Sequence, residues 1–329
     1  ASDKLDTNSY FFFFKHLIYV LIGISLIFIF SSLNSDQLYK YSIFLFFISL
    51  IFLFLVPFIG VEVKGSKRWI DLFFLPRFQP IEVLKPFLII ILATILCDIK
   101  SNILFKYLIS IFLISFISLL LIAQPDIGQT LLVIFCWAVL IFTSGINIYI
   151  LLAIFITGVS LLAYLIIYVP KFDYIQGRIF SFFNRETGTH NFQSDKAIES
   201  ITSGGFFGKG IGEGVLKNRV PEAHTDYIIS VISEEFGVVA IMLILLLFLI
   251  LIYMVFKKIS FETNDKAKLI LIGSISLILM QATIHIGVNI RLFPTTGMTL
   301  PFLSYGGSSI ISTSILAGII LNLTKRKIT

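Results

Sequence analysis

Long apolar runs dominate the chain and alternate with short polar segments. Nine runs stand out, near residues 16–33, 42–60, 81–97, 105–123, 128–144, 147–169, 227–256, 269–290 and 302–323. Each is close to the roughly 20 apolar residues that a membrane-spanning helix needs. Because the apolar positions are continuous rather than alternating, the pattern predicts helices and excludes a transmembrane barrel. The predicted fold class is therefore an all-α polytopic membrane protein.

The composition agrees with this fold class. Of the 329 residues, 57% are hydrophobic and only 13% are charged, and the mean hydropathy is +0.98. The net charge of +6 is modest, and in a membrane protein it reflects topology rather than nucleic-acid binding. Cys97 and Cys136 lie inside apolar runs without CxxC spacing, so packing is their expected role.

Basic residues give an expected topology. They cluster in the N-terminal segment, in 60–80, in 170–190, in 257–268 and at the C-terminus. Nine crossings cannot place all of these clusters in the cytoplasm, as the positive-inside rule asks, whereas a tenth crossing in the weakly apolar segment 192–212 can.

We therefore expect one integral-membrane domain over residues 1–329, with ten transmembrane helices and both termini cytoplasmic. The segment 192–226 would hold the weak seventh span and a large outer loop.

The stretch VPEAHTDYIISVISEEFG, residues 220–237, concentrates ionisable groups where a helix enters the bilayer. Glu222 and Asp226 are four residues apart with His224 between them, a set that suits general acid/base chemistry. The alternative is that Thr225 or Asp226 only caps the helix that follows. In the expected topology Asp226 lies at the outer mouth of its span.

Four further charged residues are predicted to be structural. Glu234 and Glu235 lie roughly 12–14 Å deeper than Asp226 along a helix. Ionisable groups at that depth are candidates for function, but a structural ion pair is favoured, with Lys85 as the candidate partner. Glu82 and Lys85, in FQPIEVLKP, are three residues apart and can pair on one helix face.

Two segments on the outer side favour phosphate. SGGFFGKGIGEG, residues 203–214, is glycine-rich but is not a Walker loop, because Gly210 follows Lys209. It is either flexible backbone that offers Lys209 to a phosphate or a loose helix end. RLFPTTGMTLPFLSYGGSS, residues 291–309, supplies hydroxyls at the start of the last helix, where anions bind favourably.

An amphiphilic pyrophosphate that enters sideways from the membrane would suit such a polar cavity. The candidate substrate-binding residues are Glu222, His224, Lys209, Lys217, Arg219, Arg291, Ser304, Ser308 and Ser309.

Seven stretches, taken in order, resemble the SEDS family of bacterial cell-wall proteins. They are GSKRWIDL (65–72), FQPIEVLKP (78–86), QPDIGQ (124–129), GRIFSFFN (177–184), ITSGGFFGKGIGEG (201–214), PEAHTDYIISVISEEFG (221–237) and GMTLPFLSYGGSS (297–309). The motif PEAHTD is closer to the cell-division branch of the family than to the rod-shape branch.

The resemblance implies a ten-span glycosyltransferase of the bacterial cytoplasmic (inner) membrane. It would polymerise lipid II, an undecaprenyl-pyrophosphate-linked precursor, into glycan strands at the outer face, at the division septum. The family's essential Asp maps to Asp226. The implied partners are a class B penicillin-binding transpeptidase and other divisome proteins, and not nucleic acid. The cofactor stays open, with a divalent cation, Mg²⁺ or Mn²⁺, as one option.

Other functions remain open at this point. The same family resemblance fits a lipid II flippase or a rod-shape polymerase for elongation. A scaffold that recruits the transpeptidase is a third alternative, and it would tolerate the loss of Asp226.

Overall fold

The computed structural model describes residues 11–63, 65–72, 75–98, 102–183 and 189–325. The described part of the chain is mostly helical, as the sequence predicts. It has these helices: α1 Phe11–Ser32, α2 Ser35–Ile59, α3 Pro80–Leu96, α4 Ile103–Ala123, α5 Ile127–Thr143, α6 Ile148–Tyr168, α7 Asp173–Phe183, α8 Thr189–Gly204, α9 Ile228–Phe261, α10 Asp265–Asn289 and α11 Gly307–Thr324.

A small sheet departs from the all-α expectation. Strands β1 (Val61–Val63), β2 (Ser66–Leu72) and β3 (Leu75–Phe78) form an antiparallel sheet in the order β1-β2-β3. Apolar periodicity could not predict it, because the strands are short and lie in a polar connection between two spans.

Seven of the described helices are long and apolar enough to cross a membrane, namely α1, α2, α4, α6, α9, α10 and α11. α5 is a shorter apolar helix, and the 17-residue α3 is buried along most of its length. The protein is thus a multi-pass membrane protein. None of these spans lies in 192–212, where the tenth crossing is expected.

The chain forms two compact units. The bundle unit contains residues 11–144, 250–280 and 305–325, and the site unit contains residues 145–249 and 281–304.

A buried polar cluster lies in the bundle unit. Lys85 Nζ donates to Glu82 Oε1 at 2.9 Å and to Gln129 Oε1 at 3.0 Å. The side-chain amide of Gln129 also donates to Glu82 Oε1, at 2.6 Å. This is the pairing that the spacing of Glu82 and Lys85 predicts. Since both residues are less than 5% exposed, removing one partner would leave an uncompensated buried charge.

Helices α1 and α11 pack side by side and run in the same direction. Near their starts, a Cβ added at Gly307 would lie 2.3 Å from the ring of Tyr19. Near their ends, the side-chain amide of Asn322 donates to the carbonyl oxygens of Phe30 and Leu33 at 2.9 and 2.6 Å. The absence of a side chain at Gly307 lets the two helices approach closely.

This parallel pairing disagrees with the expectation that both termini are cytoplasmic. If α1 and α11 each cross the membrane once, the start of α1 and the end of α11 lie on opposite sides. Termini on one side would need the two helices to be antiparallel. Residues 1–10 and 326–329 themselves lie outside the described residues.

The sheet marks one end of the bundle unit, which we call the sheet end. Arg68 Nε donates to the carbonyl oxygen of Gln124 at 3.2 Å, in the turn between α4 and α5. Gln79, just after β3, donates from its side-chain amide to Asp126 Oδ2 at 2.8 Å and from its backbone N–H to Ser308 Oγ at 3.0 Å. The start of α11 therefore also lies at the sheet end.

A polar cavity marks the other end of the bundle unit, which we call the cavity end. The end of α5 and the start of α10 both line this cavity, with Ser144 and Asp265 among the lining residues. Between them the described chain contains two helices long enough to cross a membrane, α6 and α9. Two crossings bring the chain back to the side of the membrane where α5 ends, as the shared cavity requires. A third crossing, in 192–212, would place the start of α10 on the opposite side.

Candidate active site

Helix α9 is broken inside the site unit, although its sequence is continuously apolar after Phe236. Gly237 has φ 73° and ψ −171°, which separates a short first segment, residues 228–236, from a long second segment, residues 238–261. A break of this kind leaves backbone N–H and C=O groups without partners in the helix, and in a membrane these groups must be satisfied by other parts of the protein.

The glycine-rich segment fills this break. The backbone N–H groups of Lys209 and Gly210 donate to the carbonyl oxygens of Glu234 and Glu235, at 2.9 and 3.0 Å. In the opposite direction, Val238 N–H donates to the carbonyl oxygen of Gly205 at 3.1 Å. The segment is therefore docked by its backbone against α9, and it is not a loose helix end.

Glycine is required where the two backbones meet. A Cβ added at Gly204 would lie 1.9 Å from the carbonyl oxygen of Ser233, and one at Gly208 would lie 2.2 Å from that of Glu235. Gly208 also has φ +77°, a conformation that residues with a Cβ rarely adopt. The composition of SGGFFGKGIGEG thus follows from close backbone contact.

Helix α8 runs beside the first segment of α9 and parallel to it. Ser194 Oγ lies 3.4 Å from Tyr227 OH. Six residues further along α8, Ser200 Oγ donates to the carbonyl oxygen of Ser230 at 3.2 Å. From Tyr227 to Gly237 the distance along a helix is about 15 Å, roughly half of a membrane core. The chain therefore descends beside α9 to Gly212, which donates to Glu235 Oε1, and it returns through the following residues to the turn at Asp226. The sequence analysis expects a single crossing in 192–212.

Two arginines connect the start of this segment, and the helix before it, to the residues between α10 and α11. Arg291 pairs with Asp195 in the first turns of α8, and Arg178 Nη1 donates to the carbonyl oxygen of Thr295 at 3.3 Å. The contact between Arg178 and Thr295 disagrees with the expected topology, which places Arg178 in the cytoplasm and residues 291–301 outside.

The two deep glutamates hold the returning chain. The Glu234 carboxylate, which is fully buried, accepts the backbone N–H groups of Leu216 and Lys217 at 2.9 and 2.6 Å. It lies 3.6 Å from Lys209 Nζ, and Glu235 pairs with Lys217 Nζ. Both glutamates thus have lysine neighbours, and these are Lys209 and Lys217 rather than the expected Lys85, which pairs with Glu82. Lys209 and Lys217, which we expected to be available to a phosphate, therefore each neighbour a carboxylate.

Asp226 lies in a turn just before α9, and its backbone is fixed on two sides. Asp226 N–H donates to the carbonyl oxygen of Glu222 at 3.1 Å. The side-chain amide of Asn289, at the end of α10, donates to the carbonyl oxygen of Asp226 at 3.1 Å. Both bonds use backbone atoms of Asp226, whose side chain is half-buried.

The connection from α10 to α11 closes over this turn. Ser304 Oγ donates to the carbonyl oxygen of Thr225 at 2.7 Å and accepts the backbone N–H of Leu300 at 2.8 Å. A Cβ added at Gly297 would lie 3.6 Å from Asp226 Oδ2, so glycine leaves space beside the carboxylate. The buried Ser304 therefore positions the turn.

The other predicted site residues have different surroundings. Thr225 Oγ1 donates to Glu222 Oε2 at 3.3 Å, and His224 is half-buried in the same turn. Ser308 and Ser309 are buried in the bundle unit. Within the described ranges, Arg219 is the one cation among Lys209, Lys217, Arg219 and Arg291 that has no carboxylate within ion-pair distance.

A polar stripe on α10 was missed by the sequence analysis. Gln281, His285 and Asn289 are four residues apart and therefore share one helix face. The side-chain amide of Gln281 donates to the carbonyl oxygen of Thr299 at 3.0 Å, and His285 Nδ1 lies 2.8 Å from that of Met298. Through these bonds and that of Asn289, the stripe holds the backbone of Asp226 and of the two residues that follow Gly297.

Tyr227 completes the turn below Asp226. Its side chain is 2% exposed, and burial raises the pKa of Tyr227 to about 12. The phenol therefore stays protonated, and its contact with Ser194 connects the turn to α8.

Comparison with known proteins places the chain among bacterial cell-wall enzymes. The sequence model of the family described as "Cell cycle protein", which covers FtsW, RodA and SpoVE, matches residues 1–328. A probable peptidoglycan glycosyltransferase FtsW of Caulobacter vibrioides is 31% identical over 99% of this chain and 83% of the relative. The protein of the same description from Coxiella burnetii is 33% identical over 98% of this chain and 88% of the relative.

Solved structures of bacterial cell-wall proteins are also similar to this chain. A chain of a peptidoglycan synthase complex that coordinates polymerization and crosslinking has a TM-score of 0.81 and 26% identity, over 95% of this chain and 89% of that chain. The rod shape determining protein RodA of Thermus thermophilus has a TM-score of 0.71 and 28% identity, over 97% of this chain and 88% of that chain.

Proposed function

The chain belongs to the FtsW, RodA and SpoVE family, and we propose that it is a peptidoglycan glycosyltransferase that polymerises lipid II into glycan strands. The observation that carries this proposal is a half-buried carboxylate, Asp226, on a turn whose backbone is held by Asn289 and Ser304 beside an open space at Gly297.

Asp226 acts as the general base in this mechanism. It accepts the proton of the acceptor sugar hydroxyl. The hydroxyl oxygen forms a bond to the anomeric carbon of the donor, and the bond from that carbon to the pyrophosphate oxygen breaks. The pyrophosphate leaves on its undecaprenyl chain. The fixed backbone of Asp226 holds the carboxylate where this proton is released.

The leaving pyrophosphate needs positive charge. Arg219 is our first candidate, since it is exposed and forms no ion pair within the described ranges. Glu222 and His224 are proposed to hold the acceptor or tune the charge of Asp226. The described residues contain no group of three or more His, Cys, Asp or Glu that could bind a metal. Mg²⁺ or Mn²⁺ here would therefore need ligands from the substrate beside Asp226.

The second candidate function is lipid II transport. The broken α9 favours it, because discontinuous helices and docked re-entrant segments also occur in transporters. The position of Asp226 before the helix, rather than at mid-membrane depth, favours chemistry instead.

We propose nine crossings in place of ten, with Asp226 at the outer face of the cytoplasmic (inner) membrane. Lysines concentrate at the cavity end and the end of α11, where the positive-inside rule favours the cytoplasm. They are Lys257, Lys258, Lys266, Lys268 and Lys325. The basic residues of 170–220 then lie in a long outer segment, and long segments weigh little in that rule.

Cysteine labelling tests this topology in a background without Cys97 and Cys136. Phe180→Cys is expected to react with an impermeant reagent from outside, and Thr263→Cys only after the membrane is opened. The ten-crossing topology requires both positions to be cytoplasmic. Leu292→Cys, outside in either topology, is the positive control, and protection of Phe180→Cys from the outside reagent would restore the tenth crossing.

Asn289→Leu is expected to lower the turnover number about 10-fold and change the KM less than about twofold, because it misplaces the base without removing it. Glycan synthesis at varied lipid II concentration measures both. Asn322→Leu is the matched control, since Asn322 also donates to backbone carbonyls from a span but lies in the bundle unit. Equal turnover in the two folded variants would remove the positioning role.

The proposed partner is a class B penicillin-binding transpeptidase, together with other divisome proteins. The solved relative in a complex that couples polymerization and crosslinking supports this pairing. The FtsW descriptions of the curated relatives favour septal wall synthesis over a RodA-type role in elongation.

A further inference from the structure

The cavity at the cavity end of the bundle unit takes no part in the proposed reaction. Its volume is about 920 Å³, and it lies between the ends of α3 and α5 and the starts of α4 and α10. This volume is within the usual range for small-molecule sites, which is about 300–1,000 Å³.

The cavity carries more positive than negative groups. Among the described residues, Lys106, Lys266 and Lys268 line it, together with the carboxylates of Asp98 and Asp265. The excess over these described residues is one positive charge. Cys97 and uncharged residues complete the lining.

Two of the three lysines are not paired with carboxylates. Lys268 lies 3.3 Å from Asp265, whereas Lys266 Nζ lies 3.6 Å from the ring centroid of Tyr39. Among the described residues, Lys106 and Lys266 have no carboxylate within 4.0 Å. Two ammonium groups thus face a cavity at the end of the spans, where an anion would complete their charge.

The surface next to the cavity is apolar. Ile103, Leu104 and Leu108, on the first turns of α4, are 67%, 71% and 63% exposed. In a membrane protein these side chains face lipid. An anion whose tail is apolar would therefore place its charge near Lys106 and its tail along the start of α4.

We infer that this cavity binds the phosphodiester headgroup of an anionic phospholipid. A single phosphodiester charge equals the excess charge of the lining, and lysine pockets between helices at the cytoplasmic side of a membrane suit such headgroups. A free phosphate is also an anion, but it has no apolar tail that could contact the exposed apolar residues of α4.

The test measures thermal unfolding of the purified full chain in neutral detergent while phosphatidylglycerol is titrated. Phosphatidylglycerol is expected to raise the Tm, because a ligand that binds only the folded state stabilises it. In Lys106→Gln/Lys266→Gln the half-saturating lipid concentration is expected to rise about 10-fold or more, given about 1 kcal/mol for each lysine near an anionic lipid.

Lys257→Gln/Lys325→Gln is the matched control, since it removes the same charge at the same end of the spans but outside the cavity lining. It is expected to keep the wild-type titration. If the double cavity variant does not fold, Lys106→Gln alone is measured, with a shift of about 5-fold expected.

Phosphatidylcholine and inorganic phosphate are the other two probes. Neither is expected to reproduce the Tm rise. An equal rise with inorganic phosphate would overturn the lipid assignment in favour of a small-anion site. Identical phosphatidylglycerol titrations for the wild type, the cavity variant and the control variant would overturn the site itself.

Discussion

Asp226→Asn is expected to reduce glycan polymerisation by about 10²-fold or more while the protein folds and inserts normally. Asparagine cannot accept a proton at neutral pH, so the acceptor hydroxyl loses its base. Two hydrogen bonds that hold this turn use the backbone N–H and the carbonyl oxygen of Asp226, and asparagine keeps both. Asparagine also caps a helix about as well as aspartate does.

Glu213→Gln is the matched control for this prediction. Glu213 is an exposed carboxylate in the same outer segment, and its replacement removes one negative charge without touching the turn before α9. We expect near wild-type polymerisation from it. A folded Asp226→Asn protein that polymerises lipid II as fast as Glu213→Gln would leave Asp226 with a capping role only.

Gly237→Ala is expected to lower the free energy of unfolding by about 3 kcal/mol or more and to abolish activity. The backbone at Gly237, with φ 73° and ψ −171°, is a conformation that costs other residues about 1–3 kcal/mol. In addition, the new Cβ would lie 2.3 Å from the carbonyl oxygen of Phe206, so the docked segment has to move. Thermal unfolding in detergent and glycan synthesis measure the two effects.

Gly158→Ala provides the comparison for this variant. Gly158 lies inside α6, and an added Cβ would meet nothing within 4 Å, so alanine is expected to be neutral or stabilising by up to about 1 kcal/mol. If Gly237→Ala and Gly158→Ala unfold at the same temperature, the docking of the glycine-rich segment does not contribute to stability.

The spans could be predicted because lipid imposes a simple pattern on them. Each of the nine apolar runs overlaps a helix of the structure, from 16–33, which overlaps α1, to 302–323, which overlaps α11. The break at Gly237 could not be predicted in the same way. Its cause is a tertiary contact with the backbone of residues 205–210. Apolar periodicity along α9 does not predict such a contact.

The expected topology rests on a count of basic residues that ignores their partners. Arg68 pairs with Asp126, and Arg77 pairs with Asp71, so these two counted cations have structural roles where they lie. The segment 192–212 was promoted to a crossing only to satisfy the charge count. Its glycines and serines indicate instead a close approach to α9.

The candidate site was predicted in part. The turn around Asp226 follows from the concentration of ionisable residues before an apolar run, whereas the stripe Gln281, His285 and Asn289 was missed. The signal was present, because three polar residues at intervals of four in a span share one face. The high average hydropathy of the run 269–290 hides this polar face.

Polymerisation of lipid II in detergent tests the central claim most directly, because detergent leaves no membrane sides between which a substrate could be transported. The purified chain is incubated with a class B transpeptidase partner and fluorescent lipid II, and the products are separated by size. We expect a ladder of glycan strands that disappears with Asp226→Asn. Absence of the ladder from the wild-type complex, together with lipid II transport in proteoliposomes by both the wild type and Asp226→Asn, would contradict it.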